Sequence, residues 1–119
     1  MSYKQPGWIG VDLDGTLAEY DGWKGADHIG PPIEKMLERV KAWLAEGLPV
    51  KIFTARVGPQ AEIVGEADVS RRAIWAWCEE HLGVALPVTA TKDFAMIQLW
   101  DDRCVQVNEN TGVRADGKV

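Results

Sequence analysis

The sequence predicts an α/β protein, a three-layer sandwich on a small parallel sheet, formed as a single domain over residues 1–119. Two observations point to this class. Four short apolar runs, at about residues 7–12, 48–53, 84–89 and 96–100, have strand character, and stretches with helical spacing separate the first three. Strand-helix-strand alternation of this kind calls for parallel strands with covering helices. A third observation concerns position: two of the runs end in paired acids, Asp12-x-Asp14 and Asp101-Asp102, and open α/β sheets bind ligands at the carboxyl ends of their strands.

The elements follow in order. Trp8-Ile9-Gly10-Val11 leads into Asp12 as the first strand, and the Gly-rich, polar stretch 18–31 reads as a loop or small hairpin. Pro31-Pro32 opens a helix, Ile33, Met36, Leu37, Val40 and Leu44 give it an apolar face, and Gly47 stops it. Leu48 to Phe53 is the second strand, with Pro49 near its start, where a strand tolerates proline, and Thr54 at its end. Residues 56–69 read as a loop over the open end of the sheet. Ser70 is the expected N-cap of a second helix reaching Leu82, with Ile74, Trp77, Cys78 and His81 as its apolar stripe and Gly83 as its stop. Val84 to Thr89 and Met96 to Trp100 supply the third and fourth strands. Val105-Gln106-Val107 is a candidate edge strand before an Asn110-Thr111-Gly112 turn, and a frayed tail is expected from Arg114.

Composition narrows the function classes. With 119 residues, 46% hydrophobic and 26% charged, the chain suits one ordinary globular domain. A net charge of −5 opposes binding of long nucleic acid, which needs a clustered Lys/Arg surface, but allows a small anionic substrate. No apolar run approaches the length of a membrane span, and the first residues lack the apolar core of a leader. Cys78 and Cys104 form no C-x-x-C pair and read as reduced thiols, so a cytoplasmic setting is expected. His28 and His81 are too isolated for a histidine-based site. Five of the six tryptophans read as packing residues. Trp23, in a Gly-rich loop just after the first acidic pair, is a candidate for lining a ligand site.

If the strands ending at Asp12 and Trp100 are neighbours, Asp12, Asp14, Asp101 and Asp102 crowd together. Like charges that close raise one another's pKa or recruit a cation. An all-oxygen donor set favours a hard ion, Mg2+ before Ca2+. Gly15 permits a sharp turn after Asp14. Thr54 can donate its hydroxyl to a phosphate oxygen, and Arg56 is a candidate bidentate clamp on phosphate or substrate.

Asp12-Leu13-Asp14-Gly15-Thr16, Thr54, Lys92 and Asp101-Asp102, taken in order, resemble the four motifs of the haloacid dehalogenase-like superfamily over roughly residues 7–108. The resemblance implies a Rossmann-like fold and, because neither usual insertion point holds an inserted domain, a capless one. It implies Asp12 as nucleophile, forming an aspartyl-phosphate, and Asp14 as general acid and then base. An acid at that second position goes with phosphatases, because a departing alkoxide needs a proton and a halide does not. Thr16 would hold the turn or contact phosphate, Thr54 would bind phosphate, and Lys92 would stabilise phosphate and nucleophile. Asp12, the backbone carbonyl of Asp14, and Asp101 and Asp102 would hold Mg2+, with Asp102 as direct ligand and Asp101 acting through water. Arg103 would pair with these acids, reach substrate or lie on the surface. The Asp-Asp-Arg ending is also similar to the phosphatase portion of phage polynucleotide kinases. The expected activity is an Mg2+-dependent phosphomonoesterase acting on a nucleotide or other small phosphate. The alternatives are a phosphotransfer or signalling domain that keeps its aspartyl-phosphate, and a non-catalytic cation-binding module.

Overall fold

The computed structural model describes residues 7–119; the expectation of no leader falls partly on residues 1–6, outside the described residues. Four strands, β1 (Trp8–Asp12), β2 (Val50–Phe53), β3 (Val88–Thr89) and β4 (Met96–Trp100), form one sheet in the order β3-β2-β1-β4, with every neighbouring pair parallel. Three helices accompany them, α1 (Glu34–Ala45), α2 (Pro59–Ile63) and α3 (Ala67–Leu82). The parallel α/β sandwich expected from the alternation is therefore present. Among the described residues no helix is long and apolar enough to cross a membrane.

The core lies on one face of the sheet. Ile9 and Val11 of β1 and Val50 and Ile52 of β2 project to that side, where Leu37, Val40 and Trp43 of α1 and Ile74, Trp77 and Cys78 of α3 cover them. Trp100 joins this cluster through Trp43, with ring centroids 5.2 Å apart. Both long helices thus serve one face, and among the described residues no helix supplies the third layer. Side chains of the sheet do so instead. Gly10 leaves a gap that the Trp8 ring, Met96 and Leu99 fill, each within 3.0–3.2 Å of where a Cβ would stand. The indole is fixed by a hydrogen bond donated from Nε1 to Asp93 (2.9 Å) and by the Lys51 ammonium over the ring (4.6 Å).

Four other expectations need correction. Residues 56–69 are not a loop: Thr54 caps a 3-10 turn at Ala55–Val57, Pro59 starts α2, and α3 begins at Ala67. The Gly and Pro residues that read as loop signals are the punctuation between short helical pieces, Gly58 as N-cap, Pro59 in the first turn and Gly65 (φ +77°) after the end. Ser70 lies inside α3, fully buried, and caps nothing. Val105–Val107 does not extend the sheet. It closes a separate small hairpin, Asn108 N–H to Val113 O and Ala115 N–H to Gln106 O, each 2.8 Å, around left-handed Asn110 and Gly112. The segment from Arg114, expected to fray, is held by that hairpin and by an Arg114–Asp116 pair.

Replacing Gly10 with Val forces branched carbon into a filled space. We expect a loss of about 1–3 kcal/mol in denaturant-monitored stability. Unchanged stability would contradict this packing of the second face.

Candidate active site

The site is a consequence of strand register. Val11 stands opposite Trp100 in the parallel β1–β4 pair, so the next residues, Asp12 and Asp101, emerge side by side at the carboxyl edge. Beyond Asp12 the chain turns tightly around Leu13, whose carbonyl accepts from the amides of Leu17 (3.0 Å) and Ala18 (2.9 Å). Leu13 is driven into the core while Asp12 and Asp14 line the cleft. Gly15 makes this possible in two ways. Its φ of +89° is left-handed, and a Cβ there would lie 2.8 Å from Oδ2 of Asp102.

Asp12, Asp101 and Asp102 each present a carboxylate oxygen within 4.8 Å of the others. Thr16 ties the group together: its hydroxyl lies 3.1 Å from Oδ1 of Asp102 and 3.3 Å from Oδ2 of Asp12. Burial, the hydrogen bond to Asp102 and the charges of Asp101 and Asp102 push the Asp12 carboxyl up to about 7. For Asp102, burial is the largest single influence and acts upward, but the hydrogen bonds from Asp12, from backbone and from Thr16, with the charge of Arg103, together hold the group below the usual carboxylate range. Of the two acids, Asp12 is thus the one that holds a proton more readily. The donor set is all oxygen, anionic and crowded enough to retain a proton near neutrality, which fits a hard divalent cation in place of that proton.

Asp14 is outside this cluster. Its carboxylate accepts a fork from Arg56, Nε to Oδ2 at 2.8 Å and Nη2 to Oδ1 at 2.9 Å. The Arg56 side chain is only 5% exposed, that of Asp14 21%. Arg56 also places its guanidinium 4.9 Å from the centre of the Trp23 ring, with Nη1 3.4 Å from the carbonyl of Ala26. Thr54 is buried at the end of β2, and its Oγ1 accepts the Arg56 amide at 3.1 Å, which leaves its own hydrogen to donate into the cleft.

These residues line a cleft of about 630 Å³ with Trp23, Tyr20 and Arg103. Asp12, Asp14, Thr54, Arg56, Asp101 and Asp102 are therefore brought together as expected from the sequence. Arg56 differs in its partner, a carboxylate 42 residues away in place of a ligand. Thr16 engages the acids. Lys92 is not brought to the cleft; it is exposed in the segment that connects β3 to β4. Arg103, whose amide donates to Asp101 at 2.9 Å, is the other cation of the cleft. Sequence reasoning missed Ser70, whose buried Oγ has no hydrogen-bond partner and lies on the cleft wall; a mid-helix serine gives no signal for such a place.

Two outcomes follow. Replacing Arg56 with Ala strands a mostly buried Asp14 carboxylate, so stability should fall by about 2–3 kcal/mol in urea unfolding, less than for a fully buried pair. Arg56→Lys should recover only part, since it keeps charge but not the fork; full recovery would contradict the fork's importance. Second, an acid whose folded pKa of about 7 exceeds its ordinary 3.8 favours the folded state at low pH and loses that contribution as pH rises from about 4 to 7. Thermal scans should therefore show a larger rise in Tm on adding Mg2+ at pH 8 than at pH 5, where the ion must displace a proton. An equal shift at both pH values would count against a proton held by Asp12.

The fold has a solved counterpart in a conserved protein coded by a locus of Bacteroides thetaiotaomicron, which this chain matches with a TM-score of 0.59 at 22% identity, over 85% of this chain and 79% of that one. No protein-family model and no curated protein matches the chain. The structural likeness is one of fold.

Proposed function

We propose that the protein is a metal-dependent phosphomonoesterase that works through an aspartyl-phosphate on Asp12. The observation that carries this reading is the pairing of two kinds of carboxylate at one strand end: Asp12 within a three-acid cluster, and Asp14, two residues on, held apart from it by Arg56. The resemblance of Asp12-x-Asp14-Gly15-Thr16, Thr54 and Asp101-Asp102 to the haloacid dehalogenase-like motifs supports the same roles.

Mg2+ held by Asp12, Asp101 and Asp102 would neutralise phosphoryl charge. An oxygen of Asp12 attacks phosphorus, and the bond to the leaving oxygen breaks as Asp14 supplies that oxygen with a proton. Thr54 donates its hydroxyl hydrogen to a phosphoryl oxygen. Asp14, now a carboxylate, takes a proton from water, whose oxygen attacks the acyl-phosphate, releasing inorganic phosphate and restoring Asp12. The Arg56 fork aims Asp14 and must loosen when Asp14 carries a proton, because both carboxylate oxygens accept from it.

Turnover of an aryl phosphate, followed by phosphate release, tests this reading. We expect activity that disappears with chelator and on Asp12→Asn, and a drop of about 10²–10⁴ on Asp14→Asn with alkyl phosphates. The Asp14→Asn loss should be smaller with aryl phosphates, whose leaving group needs less protonation. Retained turnover in Asp12→Asn excludes the nucleophile assignment. A stable acyl-phosphate without phosphate release would indicate a phosphotransfer domain.

A further inference from the structure

The geometry points to Trp23 and Tyr20 as a stacking platform for a flat aromatic ring, so that the substrate is a small phosphomonoester carrying such a ring, as a nucleotide does. This rests on the phosphomonoesterase reading and names its substrate class.

Both aromatic residues lie on the segment between β1 and α1 and line the cleft, yet they are half exposed, Tyr20 50% and Trp23 54%. Exposed aromatic surface that lines a cleft rimmed by polar residues is the kind of surface a ligand-binding groove presents. The segment is held at its neck. Glu19 donates its amide to Pro31 O (2.8 Å), Ala18 pairs with Pro32, and the Trp77 indole N–H donates to Gly30 O at 2.9 Å.

Trp23 is also tied to the chemistry. Its ring rests against the Arg56 guanidinium, and Arg56 is forked onto Asp14, two residues from Asp12. A ring stacked on Trp23 is thereby set at a defined offset from the phosphoryl site. The rest of the rim comes from the segment after β2, where Ala61 and Val64 add apolar surface and Gln60 offers one donor and one acceptor group to a ring edge.

Charge limits the size of the ligand. Asp12, Asp14, Glu66, Asp101 and Asp102 line the cleft against only Arg56 and Arg103. A polyanion meets net repulsion there, whereas a single phosphate is accommodated once a cation joins the acids. The volume, about 630 Å³, lies within the range of small-molecule sites.

Binding to the full-length Asp12→Asn protein, with Mg2+ present, separates ring recognition from turnover. The probes are adenosine monophosphate, phenyl phosphate and glycerol phosphate, followed by calorimetry and by the indole N–H resonances. We expect the ring-bearing phosphates to bind about tenfold or more tightly than glycerol phosphate. Adding Trp23→Ala should erase that gap, and Trp23→Phe should keep most of it. The order of adenosine monophosphate and phenyl phosphate distinguishes a base from a plain aryl group as the occupant. Equal affinity for all three probes, or a gap that survives Trp23→Ala in a folded protein, overturns the platform. Wild-type turnover of all three esters with no ring preference would also overturn it while leaving the phosphatase reading intact. Trp23-dependent ring binding with no wild-type turnover of any ester would do the reverse.

Discussion

Asp12 and Asp101 are neighbours because β1 and β4 run parallel with Val11 opposite Trp100, and this enforced proximity of like charges governs the rest of the site. Three carboxylates at the end of two hydrogen-bonded strands cannot all remain ionised without compensation. With no cation, the crowding shows as a raised affinity of Asp12 for its proton, with the Thr16 hydroxyl within reach of both Asp12 and Asp102. A divalent ion is the other solution that the same donor atoms allow. The backbone supports this arrangement in detail: the chain can bring Asp102 against the turn only because position 15 has no side chain.

Arg56 divides the acids into two groups. By neutralising Asp14 with a buried fork, it keeps that carboxylate out of the cluster and fixes its direction. The same guanidinium supports Trp23, so one side chain links the turn after β1, the 3-10 turn after β2 and the loop over the cleft. A carboxylate left in the cluster suits nucleophilic attack and metal binding. One oriented by a cation and facing the cleft suits proton transfer.

Much of this was legible in the sequence, for physical reasons that differ by residue. β1 and β4 show as apolar runs that stop at acids, and Asp12, Asp14, Asp101 and Asp102 are informative because buried strands rarely end in paired carboxylates. Thr54 was readable from its place at the end of β2. The Arg56–Asp14 fork was not, since it joins residues 42 apart through tertiary packing that no local spacing encodes. Residues 56–69 misled because Gly58, Pro59 and Gly65 signal a loop and a set of helix caps equally well. Ser70 looked like a cap because its burial depends on the packing of α3 against the 3-10 turn. The one-sided helix layer was hidden for a similar reason: a gap at Gly10 filled by Trp8, Met96 and Leu99 leaves no periodic trace. Lys92, assigned by its order in the chain, lies in the β3–β4 connection beside Asp93, which accepts from the Trp8 indole at the start of β1, whereas the acids stand at that strand's carboxyl end.

The most direct test of the account is the number of protons released when Mg2+ binds, obtained from calorimetric titrations near pH 6 in buffers of differing ionisation enthalpy. With Asp12 holding a proton to about pH 7, binding should release about one proton per ion, and Asp102→Asn should weaken binding sharply. Binding without proton release, or no binding at all, would contradict the claim that a cation replaces the proton held by Asp12.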